Sequence, residues 1–407
     1  MTTINQWEIN MNVSRRTLLG ATAAVAVVGA TACNASPQAS TPKDGGSEGG
    51  GDTVKLGVNY ELSGDVATYG LASVAGINLA VEEINDAGGV NGKKIELVQV
   101  DNQSKAEEAT SLATRLMTQD GVIAVMGPAT SGGFKATIPV ANDKKVPVVS
   151  GSATADDVTW DGTTVQEYAF RICFNDSFQG TIMARFAANN LSAKKAAIVK
   201  DNSSDYSKGL AAAFTAEFGT LGGSIVAEES FVAKETDFNT ILTRLKGQSF
   251  DVIYLPGYYS EAGLIIKQAR ELGMEQPVLG GDGFDSPVLL ELGGASALND
   301  VYFTNHYSSL DEDENVAAFI EAFKAANNDE EPSAFNALGY DLAKFVADAV
   351  GRASALTGEA VQKAMAETKG FVGITGTFDM DEHHNPVKSI VVVGLKDGKQ
   401  DTSEKII

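Results

Sequence analysis

Short apolar runs alternate with helical stripes of apolar side chains through residues 54–149. Residues 54–58, 95–100 and 122–126 are runs typical of buried strands, because they are short and rich in valine and isoleucine. Between the first two runs, apolar residues from Val74 to Ile84 recur every three or four positions, which is the spacing of one helix face. Strands that alternate with helices in this way predict βαβ units and a parallel sheet.

The same pattern begins again after Cys173. Helices are predicted there at residues 177–190, 206–219, 237–246 and 260–272. Each is followed by a short apolar strand, at residues 196–199, 224–227, 252–255 and 278–279. The sequence therefore predicts an α/β fold with two doubly wound units in series.

The last part of the chain breaks this alternation. Helices are predicted near residues 313–326, 334–352 and 358–368, before a β-rich stretch at 376–395. This tail is too small for a third domain. We therefore expect it to complete the first two units, which would make the connection between them multiple.

Two segments of the chain follow the same pattern. Gly127-Pro128-Ala129-Thr130-Ser131 joins the run 122–126 to a predicted helix, and residues 256–260 join the run 252–255 to another. In open α/β sheets, ligands bind at the carboxyl ends of the strands. Two such edges that face each other would form a clamp around a small ligand.

The N-terminus has the order of a bacterial lipoprotein signal. Residues 18–32 carry no charge, follow Arg15 and Arg16, and end in small residues directly before Cys33. This order predicts a secretory signal over residues 1–32 and lipidation of Cys33. The alternative is a buried apolar helix followed by an ordinary cysteine.

Residues 33–53 contain Cys33 and then a stretch rich in Gly, Ser and Pro, which predicts a flexible tether to the membrane. The general secretory route and the twin-arginine route both fit the two arginines, and translation starts at Met1 or at Met11. We expect the mature protein outside the cytoplasm, in a periplasm or on the outer face of a single membrane.

Composition narrows the range of functions. The chain has 407 residues, which favours two domains, and 43% of them are hydrophobic. Lys and Arg total 31 against 53 Asp and Glu, and the net charge of −22 argues against binding to nucleic acid or anionic lipid. With two cysteines and three histidines, we expect neither a cofactor nor a metal. Residues 381–384 are expected to form an exposed turn, and Cys173 to be buried and unreactive.

Polar residues follow several of the predicted strands. Ser131 begins a predicted helix, where free backbone N–H groups and the helix dipole can hold a carboxylate, although the sequence alone favours a simple N-cap at Thr130 or Ser131. Ser152 and Thr154 follow the next strand and add hydroxyl groups. Asp282, between two glycines, can pair with an ammonium or simply form a turn. Together these groups would suit a zwitterion.

The same positions carry a resemblance to a known family. Its landmarks are Ser63-Gly64, Tyr69-Gly70, Ala87–Gly92, Gly127–Ser131, Ser152–Thr154, Arg171, Asp176–Gly180, Gly257–Tyr259 and Gly281–Gly283. Over residues 54–395, their order and spacing resemble the bacterial branched-chain amino-acid-binding proteins, the type I periplasmic binding proteins of ABC importers. The resemblance implies two Rossmann-like lobes joined by a hinge of three crossovers. Lobe 1 would comprise residues 54–173 and 305–378, and lobe 2 residues 174–304 and 379–407.

The resemblance also implies a ligand site. The carboxylate of an amino acid would be held by Ser131, Thr154 and Tyr258. Its ammonium would be held by Asp282, by the Thr154 hydroxyl and by the carbonyl of Ser152. The side-chain pocket would be formed by Tyr69, Ala129, Thr130, Tyr206 and Phe335.

The chain departs from the family pattern in places. Ser104 and Thr130 stand where some relatives have a disulfide, Asp282 replaces a glutamate of some relatives, and Ser152 often corresponds to alanine. These changes alter the polarity of the pocket, so a polar amino acid or an amide stays open as the ligand.

The sequence thus predicts a monomeric, lipid-anchored solute-binding protein that closes around an amino acid and delivers it to an ABC permease without catalysis. Three alternatives are left open. The ligand could be urea, a short amide or an aromatic acid. The protein could be a sensor partner that signals without transport. It could also be an extracytoplasmic hydrolase that uses Ser131, although the chain lacks a G-x-S-x-G motif and no basic residue is predicted nearby.

Overall fold

Two α/β lobes are described by a computed structural model over residues 53–406. The predicted signal segment, Cys33 and nearly all of the tether lie outside the described residues. Among the helices of the described part, none is both long and apolar enough to cross a membrane.

Lobe 1 is built on a parallel sheet. Its strands are β1 (Thr53–Tyr60), β2 (Lys94–Asp101), β3 (Val125–Met126), β4 (Val148–Ser150) and β5 (Ala169–Arg171). They pair in the order β2-β1-β3-β4-β5. The first four strands are connected by α1 (Ala67–Asp86), α2 (Ala106–Arg115) and α3 (Ser131–Lys144). The strand order reverses between β1 and β3, which is where doubly wound sheets place their ligands.

Lobe 2 repeats this plan. Its parallel strands are β6 (Lys195–Asp201), β7 (Ser224–Phe231), β8 (Val252–Tyr254), β9 (Val278–Gly280) and β10 (Val301–Asn305). They pair in the order β7-β6-β8-β9-β10, which is the order of lobe 1 counted from the start of each lobe. Its helices are α4 (Asp176–Asn189), α5 (Asp205–Thr220), α6 (Asn239–Lys246), α7 (Tyr259–Glu271) and α8 (Pro287–Gly293).

The tail is shared between the lobes. It contains α9 (Glu314–Ala326), α10 (Ala334–Arg352), α11 (Gly358–Ala366), the hairpin β11 (Phe371–Gly373) and β12 (Gly376–Phe378), and finally β13 (Ile390–Lys396) and β14 (Lys399–Ile406). Helix α10 packs along α1 of lobe 1, whereas β13 and β14 extend the lobe 2 sheet antiparallel to β10. The chain passes between the lobes after β5, after β10 and after β12. The boundary residues 173, 304 and 378 stay a prediction.

The predicted two-lobed α/β fold is confirmed, and the differences are local. Only Val125–Met126 of the predicted strand 122–126 is a regular strand, although the Ile123 N–H still donates to the Lys55 carbonyl of β1 at 3.2 Å. The sequence does not predict β5, β10, α8, β11 and β14. Strand β5 ends in the charged Arg171 and is therefore not an apolar run, and α8 has only seven residues, which is too short for a periodic pattern.

Helices α1 and α10 touch through their backbones. A Cβ atom on Gly76 would collide with the carbonyl oxygen of Asn336, and one on Gly339 would collide with the carbonyl oxygen of Ser73. Both colliding atoms belong to the main chain and cannot rotate away. The two glycines therefore set how closely the helix from the tail packs on lobe 1.

We expect Gly339→Ala to lower the free energy of unfolding by about 1–3 kcal/mol, because the added methyl group overpacks this contact. Gly219→Ala is the matched control. Gly219 also lies in a helix, but its Cβ would meet nothing within 4 Å, so alanine should stabilise by about 0.5–1 kcal/mol. Urea unfolding of the three proteins measures both effects. A Gly339→Ala protein as stable as the unmodified one would contradict the tight packing.

Candidate functional site

A small cavity lies between the carboxyl ends of the strands of lobe 1 and lobe 2. It is lined by Tyr69, Ala129, Thr130, Ser131, Ser152, Tyr206, Tyr258, Asp282, Gly283 and Phe335. The structure thus brings together every ligand-binding residue that the sequence predicts except Thr154, and it adds Gly283.

The lobe 1 side of the cavity is the first turn of α3. Helix α3 begins at Ser131, and the Thr130 hydroxyl caps it by accepting a hydrogen bond from the Gly133 N–H at 3.3 Å. Thr130 is therefore the N-cap. The buried Ser131 hydroxyl accepts from the Ala155 N–H at 3.1 Å, so it also fixes the neighbouring loop. This turn presents backbone N–H groups at the positive end of a helix dipole.

Glu61 stabilises this turn by accepting hydrogen bonds from it. It directly follows β1 and is only 1% exposed. Its carboxylate accepts from the N–H groups of Ala129 at 3.0 Å and Thr130 at 3.1 Å, and from the Thr130 hydroxyl at 2.9 Å. Burial raises the pKa of Glu61, while these donors oppose the rise. Glu61 therefore holds two cavity-lining residues in place.

The loop after β4 forms the next part of the wall. The Ser152 hydroxyl donates to the Ala129 carbonyl at 2.9 Å, which ties this loop to the turn before α3. Thr154 is fully buried, but its side chain does not line the cavity. Its carbonyl accepts from Arg171 Nη1 at 3.0 Å and from the Asp176 N–H at 2.8 Å. The main chain of Thr154 is therefore fixed by Arg171 and Asp176.

Arg171 is a fully buried guanidinium next to this loop. Its Nη1 donates to three successive carbonyl oxygens, at 3.4, 3.0 and 2.8 Å, those of Ala153, Thr154 and Ala155. Its Nε donates to Asn385 Oδ1 at 2.6 Å, and Asn385 lies in the third passage between the lobes. One side chain therefore connects the site loop to the hinge.

The lobe 2 side of the cavity centres on Asp282, which is 3% exposed. Its Oδ1 accepts from Gln179 Nε2 at 3.1 Å and from the Tyr206 hydroxyl at 2.8 Å. Its Oδ2 lies 3.1 Å from Nε2 of the buried His306. The carboxylate is thus oriented by side chains from α4, α5 and the end of β10.

Aromatic rings form the remaining walls. Tyr69 stacks on Phe335 with ring centroids 4.3 Å apart, and Tyr206 stacks on Tyr258 at 5.2 Å. The Tyr69 hydroxyl donates to the Gly283 carbonyl at 2.5 Å, which links lobe 1 to lobe 2. Since the Tyr69 and Tyr206 hydroxyls both have protein partners, this part of the cavity is apolar.

Comparisons with known proteins identify this arrangement. A family model described as periplasmic binding protein matches residues 53–400. The chain belongs to this family. It is 33% identical to Leu/Ile/Val-binding protein homolog 3 of Brucella melitensis, over 81% of this chain and 87% of that protein.

Two solved structures of branched-chain amino-acid transport proteins are similar to it. One is LivJ of Streptococcus pneumoniae in complex with isoleucine, with 43% identity, a TM-score of 0.83, and coverage of 87% of this chain and 99% of that one. The other is the leucine-binding protein LivK of Thermotoga maritima, with 35% identity, a TM-score of 0.81, and coverage of 87% and 98%. The resemblance to branched-chain amino-acid-binding proteins is confirmed.

Periplasmic binding proteins bind solutes and are not enzymes, so the prediction of a non-catalytic protein is confirmed and the hydrolase alternative is wrong. Members of this family act outside the cytoplasm, as the sequence predicts for this chain. The Streptococcus pneumoniae relative is a substrate-binding protein of a branched-chain amino-acid transporter, which agrees with a role in transport.

The lobes also touch around the mouth of the cavity. Lys135 of α3 lies 3.0 Å from Asp205 of α5, and Lys234 lies 2.9 Å from Asp65. The Tyr259 hydroxyl donates to the Asp65 carbonyl at 3.2 Å. The structure therefore has the lobes in contact on the open side of the periplasmic binding protein cleft.

Sequence reasoning did not assign the groups that hold the cavity-lining residues in position. Glu61 and His306 directly follow β1 and β10, and Gln179 lies in the first turn of α4. Arg171 and Gln179 entered only as landmarks of the resemblance. The position of polar residues after strands is the signal that singles out Ser131, Ser152, Thr154 and Asp282, and Glu61 and His306 share this position.

Asp176, a second buried acid, is expected to make the stability of the protein depend on pH. Asp176 Oδ1 accepts from the same Gln179 Nε2, at 3.4 Å, that bonds Asp282. Burial and, next, the charge of Asp282 raise the pKa of Asp176 well above its ordinary value. Between the ordinary and the raised pKa, the folded state binds more protons than the unfolded state, so stability falls as pH rises.

Asp176→Asn removes this titration. We therefore expect the free energy of unfolding of the variant, relative to the unmodified protein, to increase steadily from pH 5 upward in urea titrations. Asp161→Asn is the control of opposite sign, because hydrogen bonds lower the pKa of the exposed Asp161 and make it stabilising above its ordinary pKa. Parallel stability profiles of the Asp176→Asn and unmodified proteins would contradict the assignment.

Proposed function

We propose that the protein binds a branched-chain amino acid, isoleucine, leucine or valine, in the cavity between the lobes. One observation carries this proposal: two groups that bind opposite charges line the same small cavity. They are a helix N-terminus with hydroxyl groups in lobe 1 and the Asp282 carboxylate in lobe 2. A free α-amino acid carries the two complementary charges on one carbon atom. The similarity to an isoleucine complex at 43% identity supports the same class of ligand.

The ligand carboxylate would bind at the start of α3. Ser131 supplies a hydroxyl and the first-turn N–H groups supply further donors, and Tyr258 also lines the cavity. Neither Lys nor Arg is among the lining residues that the structure describes. Helix N-termini bind anions without a basic side chain, so this composition fits a carboxylate.

The ligand ammonium would bind Asp282 and the Ser152 carbonyl. An ammonium donates hydrogen bonds, and charge-assisted bonds of this kind are stronger than neutral ones. The additional part of Thr154 in both subsites stays a prediction from the resemblance, because its side chain does not line the cavity.

The aromatic walls support an aliphatic side chain. The rings of Tyr69, Tyr206 and Phe335 present apolar surface, and the two tyrosine hydroxyls are already bonded within the protein. A polar ligand side chain would lose its hydrogen bonds to water here without replacement, which is costly. This favours isoleucine, leucine and valine over polar amino acids and amides.

Capture would proceed by hinge closure. The three passages between the lobes allow a rigid-body rotation, and a bound ligand would favour the closed form by contacting both lobes. The contacts of Tyr69 with Gly283 and of Tyr259 with Asp65 then belong to the closed form. Exclusion of water would strengthen the charged contacts of the ligand. The closed protein would be presented to the permease of an ABC importer.

The protein would work at the membrane as a lipoprotein. The order of charges, apolar residues and small residues before Cys33 supports cleavage after residue 32 and lipidation of Cys33. The Gly- and Ser-rich stretch that follows would leave the two lobes free to reach a permease.

Isothermal titration calorimetry with a panel of amino acids tests the ligand. We expect isoleucine, leucine and valine to bind, and we expect Asp282→Asn to weaken isoleucine by about 30-fold or more, because a buried charged hydrogen bond loses one partner. Asp341→Asn is the control, since Asp341 is a buried acid of α10 that does not line the cavity. Full-affinity binding of isoleucine by Asp282→Asn would overturn the ammonium assignment.

Metabolic labelling with a fatty-acid analogue tests the anchor. We expect the full chain to incorporate the label and to sediment with membranes, and Cys33→Ser to do neither. Cys173→Ser is the matched control, because Cys173 is buried in the folded protein and should not affect labelling. Labelling of Cys33→Ser at the normal level would refute the lipoprotein proposal.

A further inference from the structure

His306 occupies a position that connects the hinge to the candidate ligand site. It directly follows β10, in the second passage between the lobes. Its ring stacks on Phe174 of the first passage, with centroids 3.7 Å apart and planes within 15°. Its Nε2 lies 3.1 Å from Asp282 Oδ2, and its side chain is fully buried. The stack and the hydrogen bond together leave the ring one orientation.

The protonation of His306 follows from its contacts. A carboxylate oxygen only accepts hydrogen bonds, so Nε2 must carry the proton. Nδ1 is buried and has no hydrogen-bond partner among the described residues. A second proton on Nδ1 would be a buried donor without an acceptor, which is costly. The neutral Nε2–H form is therefore the one that fits this site.

The charged groups around His306 agree with this assignment. Burial, the largest effect, lowers the pKa of His306, and the charge of Lys388 lowers it further, while Asp282 raises it. A neutral ring keeps a second positive charge away from the place where an ammonium would bind.

The Asp282 carboxylate has a limited number of hydrogen-bond acceptor sites, and most of them are used within the protein. Each carboxylate oxygen has two lone pairs. Oδ1 accepts from both Gln179 Nε2 and the Tyr206 hydroxyl, so both of its sites are used. Among residues 53–406, Oδ2 accepts from His306 alone, so one site remains. An ammonium that binds Asp282 in this structure would therefore bind Oδ2, next to the His306 N–H.

We propose that His306 is a positioning residue for ligand binding: its Nε2–H holds Oδ2 of Asp282 so that the free lone pair receives an N–H of the ligand ammonium. This inference rests on the proposed function. It implies that His306 contributes to the selectivity for amino acids over the corresponding 2-oxo acids, which lack a donor on the α-carbon.

The test compares isoleucine with its 2-oxo acid, 3-methyl-2-oxopentanoate, by calorimetry. We expect His306→Leu to weaken isoleucine roughly tenfold to hundredfold, because a hydrogen bond to a charged group is lost. Binding of the 2-oxo acid should change less than about threefold, so the ratio of the two affinities falls. His306→Gln retains an amide donor and should recover part of the ratio.

His384→Leu is the matched control. His384 is also buried, also stacks on a phenylalanine, Phe170 at 4.0 Å, and also bonds an acceptor, the Ala169 carbonyl. It has a φ of 62°, so leucine there is strained and the variant should be less stable. Its affinity ratio should nevertheless stay unchanged, which separates selectivity from stability.

The outcomes are distinct. An equal loss for both ligands in His306→Leu would show a packing role and overturn the proposal, as would no loss for either ligand or no recovery in His306→Gln. Failure of the unmodified protein to bind isoleucine would instead refute the proposed function.

A measurement on the unmodified protein avoids any folding defect of the variants. The chain has three histidines, so ¹⁵N-histidine labelling gives few ring signals to assign. We expect His306 in the Nε2–H form at pH 7, with a shift of its Nε2 signal on addition of isoleucine and a much smaller shift with the 2-oxo acid. An Nδ1–H form, or equal shifts with both ligands, would contradict the proposal.

Discussion

Burying the carboxylate of Asp282 constrains much of the cleft. An ionised acid at 3% exposure is stable only if donors replace its lost water. Gln179, Tyr206 and His306 supply them from three different elements of lobe 2. The relative positions of α4, α5 and the end of β10 must therefore be kept within hydrogen-bond distances, and the sheet order of the lobe provides this rigidity.

The lobe 1 side of the cavity uses the same architecture to present hydrogen-bond donors rather than a carboxylate. There, the third strand of the sheet leads into a helix whose N-terminus faces the cavity, and β8 and α7 repeat this arrangement as the third strand and next helix of lobe 2. Glu61 accepts the N–H groups of Ala129 and Thr130 that the turn before α3 would otherwise leave unpaired. In a chain with 53 acids, one acid thus supports the proposed carboxylate-binding end of the cavity and another forms the proposed ammonium-binding end.

The periodic pattern predicted the repeat of βαβ units, and the echo between 122–131 and 252–260 located the two edges that meet. It could not predict β5, since three residues carry no period. It also could not assign Gln179 and Glu61, because Gln179 is 103 positions from Asp282 and Glu61 is 68 from Ala129. Contacts between residues so far apart in the sequence are determined by tertiary packing.

The Arg171 guanidinium has a mechanical consequence for the whole molecule. It bonds three carbonyls of the loop that carries Ser152 and also bonds Asn385 in the third passage between the lobes. If the lobes rotate about the passages as proposed, a displacement of Asn385 would be transmitted to this loop through Arg171. The angle between the lobes and the shape of the cavity would then be coupled, and by thermodynamic linkage an effect on the angle would change ligand affinity.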